Sequence, residues 1–254
     1  MTAVVGVCLL AMACSGGRAK SRTLAVAAAS DLQFVFPELA ESFRARHPDI
    51  AIEPTFGASG TLTAQIASGA PFDVFFSADR AYPERLVSDG HADGATLTLY
   101  AVGHIVLWVP SSSPIDLDAL GERALVDPRV RTVAIANPEH APYGRAAFAS
   151  FASFGIADAV RPKLVFGENV AQAAQFAQSG AADAAVIARS LAVSPKLSSA
   201  GRWWEFPAAS HPRLEQAVVV PGTSKDPAAS REFIAFVTGA DGRAILERHG
   251  LEAP

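Results

Sequence analysis

Residues 24–30 read LAVAAAS, a continuous apolar run that ends on a small polar residue. A run of this length predicts a strand that is buried on both faces. From Phe34 to Arg46 apolar residues then recur at helical spacing, so we expect Ser30 to end the strand and open a helix over 31–46. A strand, a short polar turn and a helix in this order are typical of a parallel α/β fold.

The same alternation of strand and helix continues along the chain. Further strands are predicted over 50–55, 74–76, 96–109, 132–136, 163–165, 184–187 and 215–220. Further helices are predicted over 62–67, 81–89, 144–154, 170–178, 227–238 and 242–249. So many short elements fit two small lobes better than one large core. We therefore predict an α/β protein built from two doubly wound lobes.

The composition of the chain excludes several classes of function. Among its 254 residues, 21 Lys and Arg stand against 25 Asp and Glu, a net charge of −4 with no basic run, which argues against a nucleic-acid surface. No cysteine follows Cys14. The body of the protein therefore has no disulfide framework, no Cys-ligated metal site and no cysteine nucleophile.

The first twenty residues are predicted to be an export leader. The apolar run Ala3–Ala13 has 11 residues, too few to span a bilayer, which takes roughly 20. Residues 11–13 fit an A-x-A cleavage site, and the same stretch followed by Cys14 is similar to a lipoprotein signal. We expect a periplasmic or extracytoplasmic protein, either cleaved or lipid-anchored through Cys14; the alternative is a disordered extension.

Sequence motifs give no support for catalysis. The chain lacks G-x-x-x-x-G-K-[ST], G-x-G-x-x-G and H-E-x-x-H, and its six histidines are scattered. Residues 57–61, GASGT, approach the G-x-S-x-G nucleophile elbow but lack its last glycine. A serine hydrolase that uses Ser59 is the alternative from the enzyme class, and it would need a histidine that no motif supplies. We expect a protein that is not an enzyme.

Four helices are predicted to open directly after a strand, at Ser30, Ser59, Tyr143 and Val170. In open α/β sheets ligands bind at the carboxyl ends of strands, where these turns lie. Each helix start offers free backbone N–H groups and about half a positive charge, so four would supply about two positive charges without any Lys or Arg. This arrangement suits a small dianion, although each serine also has a simpler interpretation as a helix N-cap.

Motifs spread over nearly the whole chain, from about Leu24 to Leu251, match one family. They are AAAS at 27–30, FGASG at 56–60, GAPFDV at 69–74, SAD at 77–79, NPEHAPYG at 137–144 and GENV at 167–170. Together they resemble the periplasmic molybdate-binding proteins of ABC importers. The resemblance implies a type II periplasmic-binding-protein fold, two lobes joined by crossover strands. Lobe 1 would comprise 23–103 and 209–254, and lobe 2 would comprise 104–208.

The resemblance also implies a ligand and partners. Molybdate, and with it tungstate, would be held by the hydroxyls of Ser30 and Ser59 with adjacent amides, and by the backbone amides of Tyr143 and Val170. Molybdenum would be bound only as the oxyanion, with no protein atom as a metal ligand and no cofactor. The partners would be a membrane permease and its ATPase, and the protein itself a monomer. Sulfate or phosphate as ligand, or an anion-sensing role, are the alternatives.

Two positions depart from the family pattern. Many members carry a tyrosine at the end of the strand over 184–187, where this chain has Ala188. We expect the Tyr143 side chain to lie near the anion in its place, with hinge packing as the alternative. A carboxylate at Asp31 would repel a dianion, so we expect it to point away, cap its own helix and offer only its backbone N–H.

Overall fold

The computed structural model describes residues 22–254, so the predicted leader over 1–20, with Cys14, lies outside the described residues. The strands are β1 (Arg22–Ala29), β2 (Ile50–Gly57), β3 (Val74–Ser77), β4 (Ala92–Gly103), β5 (Ile105–Pro110), β6 (Val133–Ala136), β7 (Leu164–Gly167), β8 (Ala184–Ala188), β9 (Gly201–Glu205) and β10 (Leu214–Pro221). The helices are α1 (Phe36–Arg46), α2 (Ser59–Ala67), α3 (Ala81–Ser88), α4 (Leu117–Leu120), α5 (Pro142–Ser153), α6 (Ala157–Val160), α7 (Val170–Gln178), α8 (Arg189–Ala192), α9 (Pro195–Ser198), α10 (Pro227–Thr238) and α11 (Ala240–Arg248). Within this part of the chain, no helix has the length and apolar character needed to cross a bilayer.

The strands form two five-stranded sheets, in the orders β2-β1-β3-β10-β4 and β7-β6-β8-β5-β9. In each sheet four strands run in one direction and a single strand runs against them, β10 between β3 and β4 in the first sheet and β5 between β8 and β9 in the second. We call the first sheet with α1–α3, α10 and α11 lobe 1, and the second sheet with α4–α9 lobe 2. The predicted α/β class with two lobes is confirmed.

The chain crosses between the lobes at Gly103 and His104, within the stretch predicted as one strand over 96–109. That prediction is wrong in detail, because the stretch divides into β4 in lobe 1 and β5 in lobe 2. A Cβ atom at Gly103 would lie 2.4 Å from the Tyr143 hydroxyl and 2.7 Å from Gln216 Nε2. Only glycine therefore lets the chain pass this close to the two side chains.

The helix predicted over 31–46 also divides. Residues Ser30–Leu32 form a single 3-10 turn, and the α-helix begins at Phe36. Pro37 occupies the first turn of α1, where its missing N–H costs no hydrogen bond, whereas inside a longer helix it would remove one. The boundary of α1 follows from this proline.

Buried aromatic side chains hold each lobe together. In lobe 1 the rings of Phe36 and Phe76 meet edge to face at 5.5 Å, and those of Phe43 and Phe233 at 5.0 Å. In lobe 2 the fully buried Trp108 donates its indole N–H to the Leu197 carbonyl at 3.3 Å. Such aromatic pairs each contribute about 0.5–1.5 kcal/mol beyond the area they bury, so they fix the helices on the sheets.

Candidate functional site

A small cavity lies between the two lobes at the carboxyl ends of the parallel strands. The four residues predicted as ligand donors, Ser30, Ser59, Tyr143 and Val170, all line it. The remaining lining residues are small or apolar except for one carboxylate: Ala29, Asp31, Gly57, Ala58, Ala78, Ala141 and Pro142. In the part of the chain that the structure describes, no Lys or Arg side chain contributes to the wall. The structure therefore brings the predicted residues of both lobes to one place.

Ser59 is the first residue of α2, directly after β2 and one extended residue, Ala58. Its side chain is buried, and its Oγ accepts a hydrogen bond from the Ala78 amide at 3.0 Å. Because the hydroxyl accepts from this amide, its own proton is left for another acceptor. The Ser59 hydroxyl is therefore available to donate a hydrogen bond to a ligand in the cavity.

Tyr143 and Val170 stand at the starts of the two lobe 2 helices that face the cavity, α5 and α7. At α7 the Asn169 side chain accepts from the amides of Ala171 and Gln172 at 3.0 and 3.1 Å. Within residues 22–254 the backbone N–H groups of Tyr143 and Val170 have no hydrogen-bond partner. These two amides are therefore free to bind an acceptor in the cavity.

The start of α5 lies unusually close to β6. A Cβ atom at Gly144 would lie 2.1 Å from the Ala136 carbonyl oxygen, so only glycine allows this approach. The close approach holds the N-terminus of α5, and with it the Tyr143 amide, at the carboxyl end of β6.

The positive potential of the cavity is smaller than four helices would give. The prediction of four converging helix starts is wrong at Ser30, which opens a single 3-10 turn instead of a helix. The three α-helices α2, α5 and α7 supply about half a charge each, or about 1.5 in all. A dianion would thus be held mainly by hydrogen bonds and partial charges of backbone groups.

Asp31 departs from its prediction. Its carboxylate does not cap its own turn; Oδ2 accepts from the Tyr143 hydroxyl at 2.9 Å and from Gln216 Nε2 at 2.8 Å. The side chain is fully buried, and Oδ1 has no donor among the described residues. Burial raises the pKa of Asp31 to about 6, against the opposing effect of the hydrogen bonds from Gln216 and Tyr143. The expected cap fails because a single 3-10 turn leaves the carboxylate facing lobe 2.

The Tyr143 hydroxyl is part of the same network. It donates to Asp31 and accepts from Gln216 Nε2 at 3.0 Å. Ala188, at the position where many family members have a tyrosine, is buried at the end of β8. Gln216 was not predicted from the sequence, although a glutamine within the apolar run of β10 indicates a buried side chain that needs hydrogen-bond partners. The hydroxyl thus joins lobe 2 to two side chains of lobe 1.

A second contact between the lobes lies beside the cavity, at Arg145 of α5. Its guanidinium donates to the Asp79 carboxylate at 2.5 Å and to the Tyr82 hydroxyl at 2.8 Å, and lies 5.3 Å from the centre of the Tyr82 ring. The Gly60 amide also donates across the cleft to the His140 carbonyl at 2.9 Å. Sequence reasoning missed this cluster, since nothing in a sequence places Arg145 against 79–82.

Two α/β lobes, joined at crossing strands and enclosing a cavity lined by amides and hydroxyls, define a ligand-binding protein of the two-lobed class. Within residues 22–254 no cluster of three or more His, Cys, Asp or Glu could hold a metal ion. The chain belongs to the family of bacterial extracellular solute-binding proteins, whose profile it matches over residues 24–252. This confirms the family that the motifs indicated.

Two relatives carry names that specify a ligand. The molybdate-binding protein ModA of Rhodobacter capsulatus is 34% identical over 195 residues, which cover 77% of this chain and 75% of that protein. ModA of Azotobacter vinelandii is 31% identical, covering 91% of this chain and 90% of the relative. The solved structure of the Azotobacter vinelandii periplasmic molybdate-binding protein superposes with a TM-score of 0.84 at 30% identity, covering 91% of this chain and 99% of that one.

Proposed function

We propose that this chain captures molybdate, and with it tungstate, outside the cytoplasm and delivers it to an ABC importer. The observation that carries the proposal is the convergence of Ser30, Ser59, Tyr143 and Val170 on one cavity that no Lys or Arg of the described residues lines. Neutral donors from both lobes suit an oxyanion that must be enclosed and later released. The names of the relatives that cover most of the chain support the same ligand.

The donors are sufficient for useful affinity. Two hydroxyls and two backbone amides, at about 1.5–3 kcal/mol for each hydrogen bond to a charged ligand, give a gross free energy of about 6–12 kcal/mol, which spans the value of about 8 kcal/mol for micromolar binding. Closing the lobes and removing water from the anion offset part of this sum. Tungstate has nearly the size and charge of molybdate and should bind similarly.

Sulfate and phosphate are the competing ligands within the same class. A binder of the larger oxyanion should hold sulfate less well, because a smaller ion cannot reach donors on both lobes at once. Thermal unfolding with molybdate, tungstate, sulfate and phosphate at matched ionic strength tests the assignment. A ligand at 100 times its dissociation constant adds about 2.7 kcal/mol of stability. The absence of a shift with both molybdate and tungstate would refute the proposal.

A hydrolase that uses Ser59 gains no support from the contacts of this residue. Its hydroxyl bonds to the Ala78 amide, and no histidine hydrogen-bonds to it within the described part of the chain. The closest pairing of the His140 ring is with Glu139, at 3.8 Å. Loss of ester hydrolysis in Ser59→Ala, measured with a chromogenic ester, would favour the enzyme instead.

Delivery to a permease and ATPase, a monomeric state and anchoring through Cys14 belong to the same proposal. We infer that the leader is either simply removed or, as a lipoprotein signal, cut before Cys14, which then carries the lipid. Mass spectrometry of the protein expressed with its own leader distinguishes the two, because a lipid adds mass to a peptide that begins at Cys14. In Cys14→Ser the lipid mass should be absent and the protein should leave the membrane fraction.

A further inference from the structure

The Asp31 carboxyl is a buried acid in contact with both lobes. It belongs to the 3-10 turn that follows β1, and its two hydrogen-bond donors are Tyr143 of lobe 2 and Gln216 of lobe 1. Its own backbone carbonyl accepts from the Ser190 hydroxyl of lobe 2 at 2.8 Å. Asp31 is therefore enclosed only when the lobes meet.

The network around Asp31 has fewer donors than acceptors. Gln216 Nε2 and the Tyr143 hydroxyl donate within it, yet Asp31 Oδ1 and Gln216 Oε1 are both buried with no donor in the described part of the chain. An ionised carboxylate oxygen in this position carries the full cost of desolvation. A proton on Asp31 removes the charge and supplies one donor to the network.

Among residues 22–254, no cation lies against Asp31 to compensate its charge. The elements packed on the Ser30–Leu32 turn are β2, α7 and α8, and α7 has no charged residue. Arg189 of α8 is held by the Gly250 carbonyl and by Glu205, and Arg145 of α5 by Asp79 and Tyr82. Two further charged groups lie on the surrounding elements: Glu53 of β2 is exposed, and Glu215 of β10 pairs with Arg80. The other titratable groups there are the buried side chains of Tyr100 and Tyr143.

We propose, on the basis of the proposed function, that Asp31 takes up one proton from solvent when the lobes close on the oxyanion, so that capture of the ligand is coupled to protonation. In the open protein the carboxyl meets water and is ionised at neutral pH. In the closed protein it lies beside Ser30 and Tyr143, the residues that would hold a dianion, and the two negative charges repel. Asp31 acts here as a positioning residue that holds Tyr143 across the cleft.

The direction of the pH dependence follows from the burial of Asp31. Burial raises its pKa to about 6 with no anion in the cavity, and a dianion can only raise it further. The closed form thus binds the proton more tightly than the open form, so affinity is highest in acid. It falls as pH rises from the ordinary range of a carboxyl to the pKa of Asp31 in the closed complex, which lies above about 6, and levels off beyond it. The limit for one proton is a tenfold rise in Kd per pH unit.

Titration calorimetry with sodium molybdate at pH 6.5, 7.2 and 8, in two buffers of different ionisation enthalpy and neither an oxyanion, measures the coupling. We expect a buffer-dependent heat that corresponds to uptake of a large fraction of one proton at pH 6.5, less at pH 8. In Asp31→Asn the uptake should vanish and Kd should become independent of pH, with binding at pH 8 at least as tight as in the parent.

Tyr143→Phe separates protonation from a merely structural role. It removes the O–H donor that favours the ionised carboxylate, so uptake should persist to higher pH than in the parent. Binding of molybdate by the parent with the same heat in both buffers at pH 6.5 overturns this inference alone, even if Asp31→Asn fails to fold. No binding of molybdate by the parent would instead refute the proposed function.

Discussion

Arg145→Ala should weaken ligand binding although Arg145 does not line the cavity. The guanidinium joins lobe 2 to Asp79 and Tyr82 of lobe 1, so separation of the lobes would break these contacts. The side chain of Arg145 is 41% exposed and that of Asp79 28%, so solvent screens the pair. An exposed ion pair is worth about 0.2–1 kcal/mol and an exposed cation–π contact about 0.5–1 kcal/mol.

With the hydrogen bond to Tyr82 included, closure should lose about 1–2 kcal/mol in Arg145→Ala. That loss corresponds to a rise in Kd of about 5–30-fold. The change should appear mainly as faster release, because broken contacts in a complex act chiefly on dissociation. Stopped-flow measurement of molybdate release, followed by intrinsic fluorescence, checks both the size and the origin of the effect.

Arg80→Ala is the matched control. Arg80 is 48% exposed and pairs with Glu84 and Glu215, both in lobe 1, at 2.7 and 3.0 Å. Because both partners lie in the same lobe, losing these contacts leaves the balance between open and closed forms unchanged. Exposed ion pairs also contribute little to stability, so Kd should stay within about twofold of the parent. Equal effects of the two substitutions, or an unchanged release rate in Arg145→Ala, would show that the contact does not hold the lobes together.

Three further substitutions test separate parts of the structure. Ser59→Ala should raise the Kd for molybdate, measured by calorimetry, by about 10–100-fold, because a hydrogen bond to a charged ligand is lost. Thr61→Ala, on the exposed face of α2, should leave Kd unchanged. Equal affinities of the two variants would show that Ser59 does not bind the ligand. Gly144→Ala should cost about 1–3 kcal/mol in urea unfolding, because its Cβ would lie 2.1 Å from the Ala136 carbonyl, whereas Gly222→Ala meets no atom closer than 3.5 Å and should be nearly neutral. Asp73→Asn should lower the free energy of unfolding by about 1–3 kcal/mol and leave Kd unchanged. The reason is that the buried carboxylate accepts from the backbone amides of Ala25 and Lys225 at 2.9 and 2.7 Å. Unchanged stability would contradict this.

Local patterns in the sequence were enough to predict the class of fold. Apolar runs such as 24–29 and 74–76 stand where β1 and β3 lie, since a strand covered on both faces has no need of polar alternation. The turns predicted after four of the parallel strands also located Ser30, Ser59, Tyr143 and Val170 at the cavity, because such turns lie at the same edge of a sheet.

Contacts between residues distant in the chain could not be predicted in this way. The partners of Asp31 are 112 and 185 residues away, Tyr143 and Gln216, and only the assembled lobes bring them together. The division of the stretch 96–109 into two strands at Gly103 could not be predicted for a related reason. Hydrophobic periodicity continues through the crossing, and the need for glycine there comes from a tyrosine of the other lobe.

The position of β10 in the first sheet has a consequence for the order in which the protein can fold. Lobe 2 is built from one continuous stretch of chain, β5 to β9, whereas lobe 1 needs β10 between β3 and β4. During synthesis lobe 2 can therefore assemble first, while lobe 1 remains incomplete until residues 214–221 have been made. Strand pairings that join such distant segments form slowly. In this topology the last step of folding is the insertion of β10 between β3 and β4, which completes the first sheet and with it lobe 1.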